Sequence, residues 1–373
     1  DDAFFVCDLG DVVKKYVRWQ KNFPRIVPYY AIKCNPDETM LKLMIGLGAG
    51  FDCASKAEIR QMLSLGASPE KIIFANPCKQ TSHVRYAKEN NIKPVVFDNK
   101  EELVKMKKNY PNADLVLRIQ TDDSQSVCPF SMKYGAHPDS CPQLLDTAYK
   151  MGLNVVGISF HVGSGCTDVQ AFVKAIQNAR VLFDYAESIG YHFTLLDIGG
   201  GFPGTENIAS MVNLALDDLF PKSDFPHVQI IAEPGRYFAA SAYTLATNII
   251  AKRAVLQGVP AFMYYVNDGI YGSFNCLFFD HAQVTPQILK HNNSWHYLIK
   301  PSGQTKQNGV RFSSSIWGPT CDGLDQICEH VMLPELTTGN WIIWEDMGAY
   351  TISAGSAFNG FKTTKMFYVI SEN

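Results

Sequence analysis

The chain has 373 residues, 46% of them hydrophobic, enough for a large core arranged as two domains or as a barrel with an appendage. Its 33 basic and 36 acidic residues give a formal net charge of -3, and no Lys/Arg block is dense enough to follow a nucleic-acid backbone, so nucleic acid is not an expected partner. Uncharged stretches such as Phe238 to Ala251 and Met347 to Phe361 fall short of the ~18 to 20 apolar residues of a membrane span, and a soluble protein is expected. The ten cysteines include no Cys-x-x-Cys pair and there is no His-Glu-x-x-His run. No metal site is therefore expected, and reduced thiols in the cytoplasm fit best. No signal-like run opens the sequence.

In chain order, a helical period over Gly10 to Gln20 comes first. Short β-branched or aromatic runs then alternate with amphipathic stretches: Tyr29 to Cys34, Phe51 to Ala54, Ile72 to Ala75, Val95 to Phe97, Leu115 to Ile119, Val155 to Val162, Phe193 to Ile198 and Gln229 to Ala232. Parallel strands with helical crossovers produce this alternation. Eight of them predict a (β/α)8 barrel of the TIM type over residues 1–240. A doubly wound open sheet is the rival, but polar residues gather at every strand end, and a barrel brings all such loops to one face. After Ala240 the helices stop. Ala261 to Val266, Phe274 to Phe279, Trp295 to Ile299, Val310 to Trp317, Trp341 to Trp344 and Lys365 to Ile370 read as strands, predicting an antiparallel β-sandwich or barrel domain over 241–373, with a surface loop from Lys290 to Asn308.

Lys33, in Pro28-Tyr-Tyr-Ala-Ile-Lys-Cys-Asn-Pro36, stands at the end of the first barrel strand. Partial desolvation there would leave an amine able to form a Schiff base; a solvated or ion-paired lysine is the plainer alternative. Gly199-Gly-Gly-Phe-Pro-Gly204 lets backbone N–H groups approach an anion such as phosphate, or is simply a tight turn. It also matches a dinucleotide motif, which Pro203 and its late position argue against. Glu233-Pro-Gly-Arg236 brings together a carboxylate suited to a pyridine nitrogen and a guanidinium suited to phosphate, or a structural ion pair. His161 is either a core histidine or a flat ring available for stacking, with Ser164 beside it. Cys321, in Trp317-Gly-Pro-Thr-Cys-Asp-Gly-Leu-Asp325, is either a thiol able to deliver a proton or a structural cysteine. Asp280 either meets a cationic substrate tail or caps a turn.

Together these segments resemble the eukaryotic ornithine decarboxylase family, pyridoxal-phosphate enzymes with an alanine-racemase-like barrel. Phe51-Asp-Cys-Ala-Ser-Lys-Ala-Glu58, Asp197-Ile-Gly-Gly-Gly201, Tyr271-Gly-Ser-Phe-Asn275, and Gly348-Ala-Tyr350 with Phe358-Asn359 extend the likeness over the whole chain. The resemblance implies decarboxylation of L-ornithine to putrescine and carbon dioxide, the first step of polyamine biosynthesis. Lys33 would hold pyridoxal phosphate, His161 would stack on its ring and Glu233 would pair with its nitrogen. Asp52, Glu58 and Arg118 would support that pocket, while Ser164, Gly199, Gly200, Gly201, Gly235, Arg236 and Tyr350 would surround the phosphate. Cys321 would be the proton donor. Asp280 and Asp322 would bind the distal amine, with Tyr271 and Phe358 lining the site. The family forms a head-to-tail homodimer in which Cys321 and Asp322 would reach into the partner's barrel. Antizyme is a partner in the family, and Lys79 to Lys108 aligns with its binding region. One departure is Phe279, where the family usually has Tyr before the substrate-binding Asp. Related arginine, lysine and diaminopimelate decarboxylases, and a noncatalytic antizyme-inhibitor-like protein, are the competing assignments.

Overall fold

The structure, a computed structural model, describes residues 1–122, 132–164, 168–202, 206–255, 261–291, 294–295 and 310–372. It divides into two compact units, one of residues Val13–Phe238 and the other of Asp1–Val12 with Ala239–Asn373. The units do not follow chain order, because strand β1 (Phe4–Asp8) pairs with strands from the far end of the sequence. The division therefore departs from a simple 1–240 and 241–373 split.

The first unit is a closed barrel of eight parallel strands: β2 (Ile26–Ala31), β3 (Gly50–Cys53), β4 (Ile72–Phe74), β5 (Pro94–Phe97), β6 (Asp114–Arg118), β7 (Asn154–Ser159), β8 (Leu195–Asp197) and β9 (Gln229–Ala232). Closure is made by β2 against β9, Val27 opposite Ile231. Tyr29, Ile73, Val96, Val116, Leu195 and Ile231 fill the interior, so the strand sequences are apolar on both faces, as parallel strands under helices require. Ahead of the first barrel strand, α1 (Leu9–Asn22) places Tyr16 and Trp19 on one face, and Trp19 packs on Phe23 and Phe202. Local chemistry sets the helix ends: Asp37 caps α2 (Glu38–Leu47), Gly48 closes it in the left-handed region, and Ser55 caps α3 (Lys56–Ser64).

The second unit is a mixed sheet, not an antiparallel one. Its spine is β10 (Tyr243–Ala254), which pairs antiparallel with β1, with β11 (Phe262–Val266) and with β16 (Trp341–Trp344). Two pairings are parallel: β11 with β14 (Phe312–Trp317), and β1 with β17 (Lys365–Val369). Strands β12 (Pro286–His291), β13 (Ser294–Trp295) and β15 (Gln326–Leu333) complete the sheet. The antiparallel expectation rested on strands following one another in sequence, which says nothing about pairing between distant strands. Phe274 to Phe279 is no strand: it forms a 3-10 turn, Ser273–Asn275, and the short helix α10 (Cys276–Phe279). Its aromatic content reflects packing, as Phe274 is fully buried edge-on against Trp344. Residues 296–309, the greater part of the expected surface loop, lie outside the described residues.

Candidate active site

Parallel closure delivers the strand ends to one rim. Lys33 lies in a 3-10 turn directly after β2, and its Nζ makes a 2.6 Å ion pair with Oδ2 of Asp52, whose side chain on β3 is wholly buried. Glu58 sits at the third position of α3, donates its backbone N–H to the Ser55 cap, and accepts from the Ala54 N–H just before that cap, which fixes the β3–α3 turn. Burial raises its pKa, and the nearby Asp52 charge adds to that. Arg118 ends β6 with its guanidinium over the Tyr134 ring. His161 follows β7. Its Nδ1 accepts from the Gly163 N–H at 3.0 Å, which assigns the ring proton to Nε2 in the neutral tautomer. Burial, then the Arg118 and Lys33 charges, hold its pKa well below the usual histidine range.

Beyond β8 the backbone turns through Gly199 (φ 63°) and Gly201 (φ 99°). A Cβ on Gly200 would stand 2.7 Å from His161 Nε2 and 2.9 Å from the Glu233 carbonyl, so only glycine lets these chains meet. Asp197, at the end of β8, builds the turn by accepting from the Gly199 N–H at 2.9 Å and the Ser159 hydroxyl at 2.8 Å. Burial pushes its pKa up to about 6. Opposite lies Glu233. Burial first, then the charges of Asp197 and Asp52, raise its pKa well above the carboxylate range. Its Oε1 is buried with no hydrogen-bond partner, as is Oδ1 of Asp52. Gly235 packs on Cys34, and Arg236 Nη2 donates to Ser164 Oγ at 3.3 Å.

The other unit holds its own cluster. The Tyr271 hydroxyl donates to Asp322, which lowers the Asp322 pKa and raises that of Tyr271. The Tyr271 ring lies 4.3 Å from that of Phe358. Cys321 is exposed beside Asn359. Asp280 is buried at the end of α10, and Tyr350 adopts a left-handed conformation (φ 57°) after β16. Asp325 ties this cluster together, accepting from the Ile270 N–H at 2.9 Å, the Thr320 N–H at 2.9 Å and the Thr320 hydroxyl at 2.6 Å. The sequence reading assigned no role to Asp197 or Asp325. The only signal was position: each abuts a glycine-rich run that its carboxylate shapes.

Residues 9–240 match the family described as pyridoxal-dependent decarboxylase, pyridoxal binding domain. The chain belongs to this family. An antizyme inhibitor 2 from Xenopus laevis is 51% identical over 99% of this chain and 81% of its own length. The ornithine decarboxylase of Mus musculus is 48% identical over the same shares. Among solved structures, the arginine decarboxylase of Paramecium bursaria Chlorella virus, bound to agmatine, superposes with a TM-score of 0.91 at 35% identity, covering 99% of this chain and 96% of that one.

The cofactor of the pyridoxal-dependent decarboxylases is pyridoxal phosphate, and the barrel residues fit it. The unpartnered Glu233 Oε1 suits a pyridine nitrogen, Lys33 supplies an amine, and Ser164, Arg236 and the glycine turn offer donors to phosphate. Within Lys79 to Lys108, the segment expected to meet antizyme, Lys79 is not a surface charge. It is buried, with Nζ 2.8 Å from Glu102 and donating to the Val96 carbonyl at 2.5 Å.

Proposed function

We propose that this chain is a cytoplasmic, homodimeric ornithine decarboxylase that uses pyridoxal phosphate to release carbon dioxide from L-ornithine and yield putrescine. The observation that carries the reading is the barrel-rim set in which Lys33 is paired with Asp52 while the buried Glu233 keeps Oε1 without a hydrogen-bond partner. When bound, the cofactor supplies a protonated pyridine ring that takes up the electron pair left by departing carbon dioxide. The protein's part follows from its own residues. Lys33 offers the amine that binds the cofactor aldehyde, and Asp52 orients it. Glu233 would meet the ring nitrogen with its unpartnered Oε1. Neutral His161 would offer the ring a flat, uncharged face, while Ser164, Gly199, Gly200, Gly201, Gly235 and Arg236 would hold the phosphate. Asp52, Glu58 and Arg118 keep the pocket in shape.

Cys321 then gives its Sγ proton to the substrate carbon that has lost its carboxylate; the S–H electron pair stays on sulfur, which takes a proton back from solvent. Asp322, kept ionised by the Tyr271 hydroxyl, is suited to a distal ammonium, and Asp280 is a second acid for it. Head-to-tail pairing of two copies would give each barrel the partner copy's Cys321 and Asp322. Phe279, exposed and without a hydroxyl, leaves ammonium recognition to the carboxylates.

The identity to antizyme inhibitor 2 supports a second reading, a noncatalytic protein that binds antizyme. One experiment separates the two. Borohydride reduction after incubation with pyridoxal phosphate, with peptide mapping, is expected to label Lys33, and assays on ornithine, lysine and arginine are expected to favour ornithine. Absence of label and turnover would overturn the enzyme reading in favour of the noncatalytic one; faster release of carbon dioxide from lysine or arginine would reassign the substrate.

A further inference from the structure

Cys321 and Asn359 lie 38 residues apart, and one atom joins them twice. Oδ1 of Asn359 accepts from the Cys321 backbone N–H at 3.2 Å and from Cys321 Sγ–H at 3.3 Å. A backbone N–H can only donate, so the atom facing it must be the amide oxygen, and the thiol beside that oxygen meets an acceptor. The sulfur is thus addressed as a protonated thiol.

Asn359 reaches this position through its backbone. It has φ 53° within the turn Phe358–Gly360, and Gly360 follows at φ 77°. Asparagine tolerates the left-handed region better than other side-chain-bearing residues, and it also carries the acceptor. The turn is itself anchored. Phe358 stacks on Tyr271, the Ser356 N–H donates to the Tyr271 carbonyl at 2.8 Å, and the Tyr271 hydroxyl donates to Asp322, next to Cys321. The contacts form a ring, Cys321 to Asn359 to Phe358 to Tyr271 to Asp322 and back to Cys321.

We infer that Asn359 is a positioning residue for Cys321: its amide oxygen, accepting from the Cys321 backbone N–H and from Sγ–H, fixes the direction of the thiol. The inference rests on the reading of Cys321 as proton donor, and its test separates the two.

Asn359→Gly retains the left-handed turn and removes the side chain with its acceptor oxygen; Asn359→Asp keeps an oxygen and adds a charge. The rate of Cys321 alkylation by iodoacetamide is followed by peptide mass between about pH 6 and about pH 9, with and without pyridoxal phosphate, the thiolate being the reactive form. Asn359→Gly is expected to alkylate roughly 3- to 10-fold faster near neutrality, the factor carried by one lost hydrogen bond, with an unchanged melting temperature. Asn359→Asp is expected to alkylate more slowly, with its pH profile displaced upward by the added anion. In turnover of ornithine, Asn359→Gly is expected to lower kcat several-fold with KM nearly constant. Parental alkylation profiles in both variants overturn the inference whatever turnover shows. Displaced profiles together with full activity in Cys321→Ala leave Asn359 in its role and remove Cys321 from the proton-transfer step.

Discussion

Burial of His161 between Arg118 and Lys33 has a consequence for stability. Its folded pKa lies well below 6.5, so as pH falls through 6.5 the unfolded chain takes a proton that the folded chain refuses. Stability from this residue is complete above 6.5 and is lost below it, by ~1.4 kcal/mol per pH unit until the folded value is reached. Glu233 runs the other way: its raised pKa stabilises below the ordinary carboxylate value and weakens the fold as pH rises above about 4.5. Denaturant titrations of the cofactor-free protein at several pH values should therefore show a shallower acid-side loss in His161→Gln than in the parent. Glu233→Gln cannot give up a proton to the pyridine nitrogen. It is expected to retain the Lys33 label after borohydride reduction while losing about 100-fold or more in the rate of carbon dioxide release.

At the scale of elements, the turn after β8 and the segment between β4 and β5 each depend on one residue, Gly200 and Lys79. Gly200→Ala would force a methyl against His161 and the Glu233 backbone, which sit on two other strand ends. The expected outcome is a fold that survives with cofactor affinity weakened about 10-fold or more, read by the absorbance of bound pyridoxal phosphate, because the phosphate donors move with that turn. Lys79 fastens the β4 loop to β5 through the Val96 carbonyl and Glu102, itself 2% exposed. Lys79→Ala leaves Glu102 with only Lys105 for a counter-ion, and urea unfolding should register a loss of ~3 kcal/mol. The same burial means that any antizyme contact from this segment must use other lysines, such as exposed Lys107 and Lys108.

For the whole molecule, the amino-terminal strand joins the ends of the chain. β1 lies between β10 and β17, Phe5 and Cys7 are buried beneath it, and β17 has no other strand partner among the described residues. Phe5→Ala is expected to cost ~3 to 5 kcal/mol in thermal or chemical unfolding. Removing residues 1–8 should expose Lys365–Val369 to protease before the barrel is cut, as followed by mass spectrometry.

The barrel was legible because each of its strands is buried on both faces and followed by its own helix: run, turn signal and helical period recur locally, and local order dictates parallel pairing. The residues at its rim were legible for the same reason, since every β-strand end in such a barrel faces one way. Pairing across the second unit was not. Whether β11 runs parallel to β14, or Phe4 lies beside Lys365, depends on contacts between segments tens to hundreds of residues apart, and alternation within a strand carries no record of its neighbour. Aromatic density misled at Phe274, where packing against Trp344 looks like a strand in sequence. The raised pKa of Glu233 and the lowered pKa of His161 were also beyond the sequence. Residue type names the acid and the base, but the charge each carries is set by the burial and the neighbouring ions that folding assembles.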